Sequence, residues 1–127
     1  MWYVRGLVSV WAVWSFLTAL AYIHDPSLGH LQPVVNLMPV DWWAWAWGLA
    51  GVFLVLGLIP WRGAGWSRVA GLAMVSGLSA AWATSFALVW LEGETPRGWV
   101  SAKNYLFFML MSSGSAWWIS RRGRFDQ

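Results

Sequence analysis

Residues 42–59 read WWAWAWGLAGVFLVLGLI. These 18 residues carry no charge and do not alternate between polar and apolar. As a helix they rise about 27 Å at ~1.5 Å per residue, close to a hydrocarbon core of roughly 30 Å. The stretch predicts a membrane-spanning helix, and three other apolar runs repeat the pattern.

The four expected spans are about 4–23, 42–59, 69–91 and 100–119. Spans two and three are uncharged, span one holds Arg5 near its start, and span four holds Lys103 near one end. A transmembrane β-barrel would need ~10-residue segments alternating in and out, and runs such as GVFLVLGLI and FALVWL do not alternate. In lipid the remaining way to satisfy every backbone amide is the helix. The expected fold is therefore an all-α membrane protein, an antiparallel bundle of four transmembrane helices forming one domain over 1–127.

Composition agrees. Of 127 residues, 59% are hydrophobic and only 10% charged, where a soluble domain carries about 25% charged residues. A small soluble chain could not hide that much apolar surface. The chain has no cysteine, which removes disulfides, thiol catalysis and thiolate metal sites.

The breaks fit helical hairpins. The longest, 24–41, holds Pro26, Pro33 and Pro39, while 60–68 and 92–99 are short. Asp41 and Ser67 are expected N-caps for spans two and three. An even number of spans puts both termini on one side, with Arg5, Arg62, Arg68, Arg121, Arg122 and Arg124. The other side holds Arg97, Lys103, Asp25, Asp41, Glu92 and Glu94. The positive-inside rule makes the first side cytoplasmic, with 24–41 outside and 120–127 a basic cytoplasmic tail in the inner membrane. Arg5, the apolar run and Ala19-Leu20-Ala21 also resemble a cleavable signal peptide. The run is long for a signal core, so the first span is expected to stay as an anchor.

WWAWAW begins at the outer end of span two. Indole has an apolar body and one donor, so it favours the headgroup level. At ~100° per residue Trp42, Trp43, Trp45 and Trp47 spread over about 200° as a partial collar. Tyr22, Trp90 and Trp99 fall at the same level, and Trp2, Tyr3, Trp61, Trp66, Trp117 and Trp118 at the inner one. Trp11, Trp14 and Trp82 fall nearer mid-membrane, where each N–H needs a partner; Ser15, Ser76, Ser79 and Thr84 are candidate acceptors. These rings are expected to pack helices rather than to bind a lipid tail, a quinone-like ring or a partner.

Small residues recur every fourth position in span three, at Ala73, Gly77, Ala81 and Ser85. Span four has Ser112, Ala116 and Ser120, with Ser113 and Gly114 adjacent, and span two has Ala44 and Gly48. Such stripes let helix backbones approach closely, within one bundle or between copies. Lys103 and Asn104, about one turn inside the outer boundary, form a possible polar site; snorkelling to the headgroups is the simpler account of the lysine. His24 and His30 flank a turn beside Asp25, but their spacing matches no zinc motif. The Arg-rich tail and Arg62 and Arg68 suit topology and anionic headgroups.

No phosphate loop, zincin, nucleophile elbow or pair of carboxylates lies within a span. The expectation is a non-enzymatic protein without cofactor or metal. Its expected partners are membrane lipids and either itself or another membrane protein, and not nucleic acid. Three roles follow, in order: a self-associating protein that acts on the membrane, of a holin-like or phage-exclusion kind; an accessory subunit of a larger bacterial membrane complex; and a small-molecule carrier or binder.

Overall fold

A computed structural model of the chain describes residues 2–24, 32–35 and 37–122. Among these the fold is all helical, with four long helices and no strand. They are α1 (Trp2–His24), α3 (Val40–Leu56), α4 (Ala64–Leu91) and α5 (Gly98–Arg122). A one-turn helix, α2 (Gln32–Val35), lies in the long connection expected to be loop. Asp25 and His30 of that connection, and Arg124 of the tail, lie outside the described residues.

Two helices, α1 and α4, are long and apolar enough to cross a membrane. The apolar helix of span two is shorter than expected, 17 residues or about 25 Å, because the chain leaves the helix at Gly57. The fourth runs 25 residues but is diluted by Lys103, Asn104 and a serine-rich second half. Neither Asp41 nor Ser67 is an N-cap. Pro39 precedes α3, with Asp41 in its first turn, and Gly63 precedes α4, which begins a turn early.

That early start gives Ser67 a different role. It lies buried inside α4, and its Oγ donates to the Phe53 carbonyl of α3 at 2.6 Å. For the membrane helices expected from the sequence, a bond of this kind averages about 0.6 kcal/mol. Ser67→Ala is therefore expected to lower the midpoint of thermal unfolding in detergent by only a degree or two; a loss of folding would mean that Ser67 anchors the hairpin far more strongly.

Consecutive long helices pack side by side: α1 on α3, α3 on α4, α4 on α5. The α1/α3 contact is close where residues are small. A Cβ added at Gly48 would touch Ala19 Cβ at 4.0 Å, and Phe16 lies flat against Gly51. Inward positions recur at three- and four-residue steps: Val4, Val8, Trp11, Ser15 and Ala19 in α1, and Ser67, Gly71, Val75, Ser79 and Trp82 in α4. They close a core around Trp47, Leu54, Leu72 and Val75.

Side chains donate to three carbonyls of the α3–α4 turn. Leu56 O accepts from Trp61 Nε1 at 2.8 Å, Gly57 O from Arg68 Nε at 2.6 Å, and Leu58 O from an Arg5 Nη at 3.0 Å. These are the orphan carbonyls of a helix C-terminus, where cations are favoured. The α4–α5 turn uses Gly93, whose φ of 78° suits glycine.

Candidate functional site

The two ends of the bundle differ in charge. One end gathers Arg5, Arg62, Arg68, Arg121 and Arg122 from the start of α1, the α3–α4 turn and the end of α5. The other carries Asp41, Glu92 and Glu94, the described carboxylates. Among the described residues no three of His, Asp and Glu come together.

At the arginine end the guanidinium of Arg122 lies over the Trp118 ring at 4.3 Å and the Tyr3 ring at 5.4 Å, and donates to Tyr3 Oη. Arg121 lies over Trp117 at 4.5 Å. Stacking on aromatic faces holds each cation in place and leaves donors free. Trp2, Trp61, Trp66 and Trp117 are exposed at this end, and Trp66 also meets Phe53 edge-on.

At the acidic end the tryptophan collar divides. Trp42 and Trp45 are 64% and 73% exposed, whereas Trp43 and Trp47 are 7% and 0%. Positions 43 and 47 are one turn apart and point inward; 42 and 45 share the outer face. The inward pair meets Trp82 of α4 edge-on, at 4.8 and 6.4 Å between centroids. Trp82 Nε1 donates to Tyr22 Oη of α1, which shares a 3.2 Å hydrogen bond with Tyr105 Oη of α5. Tyr105 stacks on Phe86. Four helices thus meet at one aromatic knot, capped by Val34 and Met38. No local pattern signals the Tyr22–Trp82–Tyr105 link, because its members lie on three different helices.

The expected acceptors for mid-membrane indoles do not serve. Ser15 donates to its own helix at Trp11 O, and Thr84 at Ala80 O. Ser76 bonds to α5, at Ser113 Oγ (2.5 Å) and Met109 O. A hydroxyl inside a helix satisfies itself on the carbonyl four residues back more cheaply than it reaches a neighbour. Ser79 Oγ, Ser85 Oγ and the indole nitrogens of Trp11, Trp14 and Trp47 are buried without a hydrogen-bond partner among the described residues.

The small-residue stripe of α4 is also divided. Ala73 and Gly77 are exposed, and nothing lies within 4 Å of a Cβ built on Gly77. Ala81 is partly buried against the aromatic knot, and Ser85 is buried. On α5, Ser112 is buried and bonds back to Phe108 O at 2.7 Å, and Ala116 packs on the core. Ser113 is exposed but turns its hydroxyl to Ser76 of α4, and Gly114 is exposed with nothing within 4 Å of an added Cβ. Lys103 and Asn104 are exposed, and Lys103 Nζ lies 5.2 Å from the Trp99 ring, one turn nearer the acidic end.

No known protein family matches the chain, and no characterised protein or solved structure shows detectable similarity to it.

Proposed function

We propose that the chain is a non-enzymatic integral protein of the cytoplasmic membrane. It crosses four times with both termini inside, and acts on the membrane by associating with further copies of itself in a holin-like or exclusion role. The four-span reading draws on exposure at mid-height. Val10, Val13 and Leu17 of α1, Leu49 and Val52 of α3, and Phe107 and Leu110 of α5 all face outward. Helices apolar on every side belong in lipid or in a large core. The third and fifth helices also flank α4 along the bundle, so a bilayer that takes up α4 takes them up with it.

The observation that carries self-association is the open face at Ala73 and Gly77. Packing inside the bundle uses the opposite side of α4, at Ser67, Gly71, Leu72 and Val75. The outward small residues therefore leave room for another helix backbone. The interior itself is filled by Trp47, Trp82, Leu54 and Leu72, so a permeation path would form between copies rather than through one.

The absence of native cysteine makes the test direct. Gly77→Cys is expected to form a disulfide-linked dimer in oxidised membranes, while Val13→Cys on the outer face of α1 does not. Induced expression is expected to depolarise the bacterial membrane promptly, and Gly77→Leu to abolish this with insertion unchanged. A monomeric Gly77→Cys protein with an unchanged potential would sink this reading. The same face would then fit a different membrane protein, as an accessory subunit would require.

A further inference from the structure

Between α1 and α5 runs a seam closed by side chains rather than by backbone approach. Its contacts are Tyr3 with Trp118 at the arginine end, Trp11 and Trp14 with Phe108 in the middle, and Tyr22 with Tyr105 at the acidic end. The middle of the seam holds a cavity of about 260 Å³ between Leu7, Val10 and Trp14 on one side and Phe107, Phe108 and Met111 on the other. Its wall presents no polar atom. Trp11 also lines it, and the N–H groups of Trp11 and Trp14 are enclosed by neighbouring atoms and do not reach its surface. A ligand head carrying carbonyls or hydroxyls would lose its hydrogen bonds there. Plain hydrocarbon loses nothing.

The cavity lies inward of the Arg122 cluster along the same two helices. Leu7 and Trp14 lie four and eleven residues beyond Tyr3, or about 6 and 17 Å along the helix axis. One leaflet of acyl chains occupies about half of a ~30 Å core, the same depth. At the mouth of the seam Arg122 is fixed over Trp118 and Tyr3. It uses a donor on Tyr3 Oη, and a guanidinium has five. Five arginines lie at this end and no described carboxylate does. Arg5 and Arg68 are already engaged by carbonyls of the α3–α4 turn. A phosphate would find complementary charge here, and a headgroup bearing its own ammonium would be repelled.

We propose that the α1/α5 seam holds one phospholipid of net negative charge, its phosphate on Arg122 and one acyl chain in the cavity. The proposal rests on the four-span reading, which sets the cavity at acyl-chain depth. It is independent of self-association through α4.

The test is native mass spectrometry of the full chain released from detergent, titrated with phosphatidylglycerol or phosphatidylcholine bearing the same acyl chains. The wild type is expected to retain one phosphatidylglycerol per chain, at least about fivefold more tightly than phosphatidylcholine, as one basic group near a lipid phosphate provides. Arg122→Gln is expected to remove that preference and Arg122→Lys to keep most of it. Val10→Trp fills the cavity from a side chain that is 67% exposed and has room to grow. It is expected to reduce retention of both lipids at least about tenfold, as the loss of a ring-sized recess for an apolar chain implies. Unchanged thermal stability of each variant without added lipid establishes that the fold persists. Equal retention of the two lipids by the wild type, a preference that survives Arg122→Gln, or retention that survives Val10→Trp would overturn the seam. In vesicles of lipid brominated at mid-chain, quenching of tryptophan fluorescence tests the spans separately. Quenching without phosphatidylglycerol retention overturns the seam and leaves the spans standing; no quenching overturns both.

Discussion

Replacing Gly71 with valine is expected to abolish the folded bundle. A Cβ at position 71 would sit 2.7 Å from Leu54 Cγ, 2.9 Å from its Cδ2 and 3.1 Å from its backbone nitrogen. Leu54 is fully buried and has nowhere to swing, and its backbone cannot yield without shifting α3. Even Gly71→Ala carries an overpacking cost of about 1–3 kcal/mol, and two further methyl groups in valine move the helices apart. The neighbouring bond from Ser67 to Phe53 O would then be lost as well. The readout is the monodisperse fraction in mild detergent and its thermal midpoint. Gly77→Val is the matched control for folding of the single chain, though not for its association, because nothing in the chain lies within 4 Å of a Cβ at position 77 and valine is the better helix former. Wild-type behaviour of both variants would mean that α3 and α4 do not pack at Leu54 and Gly71.

This pair of glycines marks the limit of what the sequence reveals. Both lie in α4 among apolar and small residues, and both suit a close helix contact. Hydropathy does not separate them, since the outward face of a membrane helix is as apolar as the inward one. The helices themselves were legible because their apolar runs are long and bounded by Pro, Gly and charge. Their ends were less so. The five residues before span three, from Ala64 to Arg68, hold a serine and an arginine and resemble a loop, yet they are helical because Ser67 and Arg68 find carbonyls across the turn. Such partners are invisible in a linear reading.

The α4 stripe was legible as a spacing and not as a surface. A step of four residues advances ~400°, about 40° more than one turn. Over Ala73, Gly77, Ala81 and Ser85 the drift reaches about 120°. The stripe therefore begins on the outside of the bundle and ends inside it. The same geometry divides WWAWAW, where four rings that read as one collar become two that face outward and two that fill the core. The Arg122 cluster has a different origin. Tyr3 and Arg122 are 119 positions apart, and only the closure of α1 against α5 brings the first turn of the chain to its last.

Truncation of Trp82 to alanine is expected to be the most damaging change at the acidic end. This ring is fully buried and touches Trp43, Trp47 and Tyr22, so its loss removes contacts of α4 with α3 and with α1 at this end together. Under the proposed membrane location, lipid offers no hydrophobic penalty to an exposed ring, so the usual transfer term is missing, and the cost is the cavity and its lost contacts. A residual cavity on the order of 100 Å³ at about 24 cal/mol per Å³ gives about 2.4 kcal/mol. Loss of the Nε1 bond to Tyr22 Oη adds roughly 0.6 kcal/mol. Trp82→Phe keeps most of the ring and loses the donor, so it separates the two terms and is expected to cost about half as much. Both variants are compared with wild type by the thermal midpoint of the detergent-solubilised monomer. Equal destabilisation by phenylalanine and alanine would place the energy in the hydrogen bond rather than in packing. In that event Tyr22→Phe, which removes the acceptor together with its bond to Tyr105, must reproduce at least the full loss. If packing dominates, as the edge-on contacts of three indoles imply, Tyr22→Phe leaves the midpoint within a degree or two of wild type.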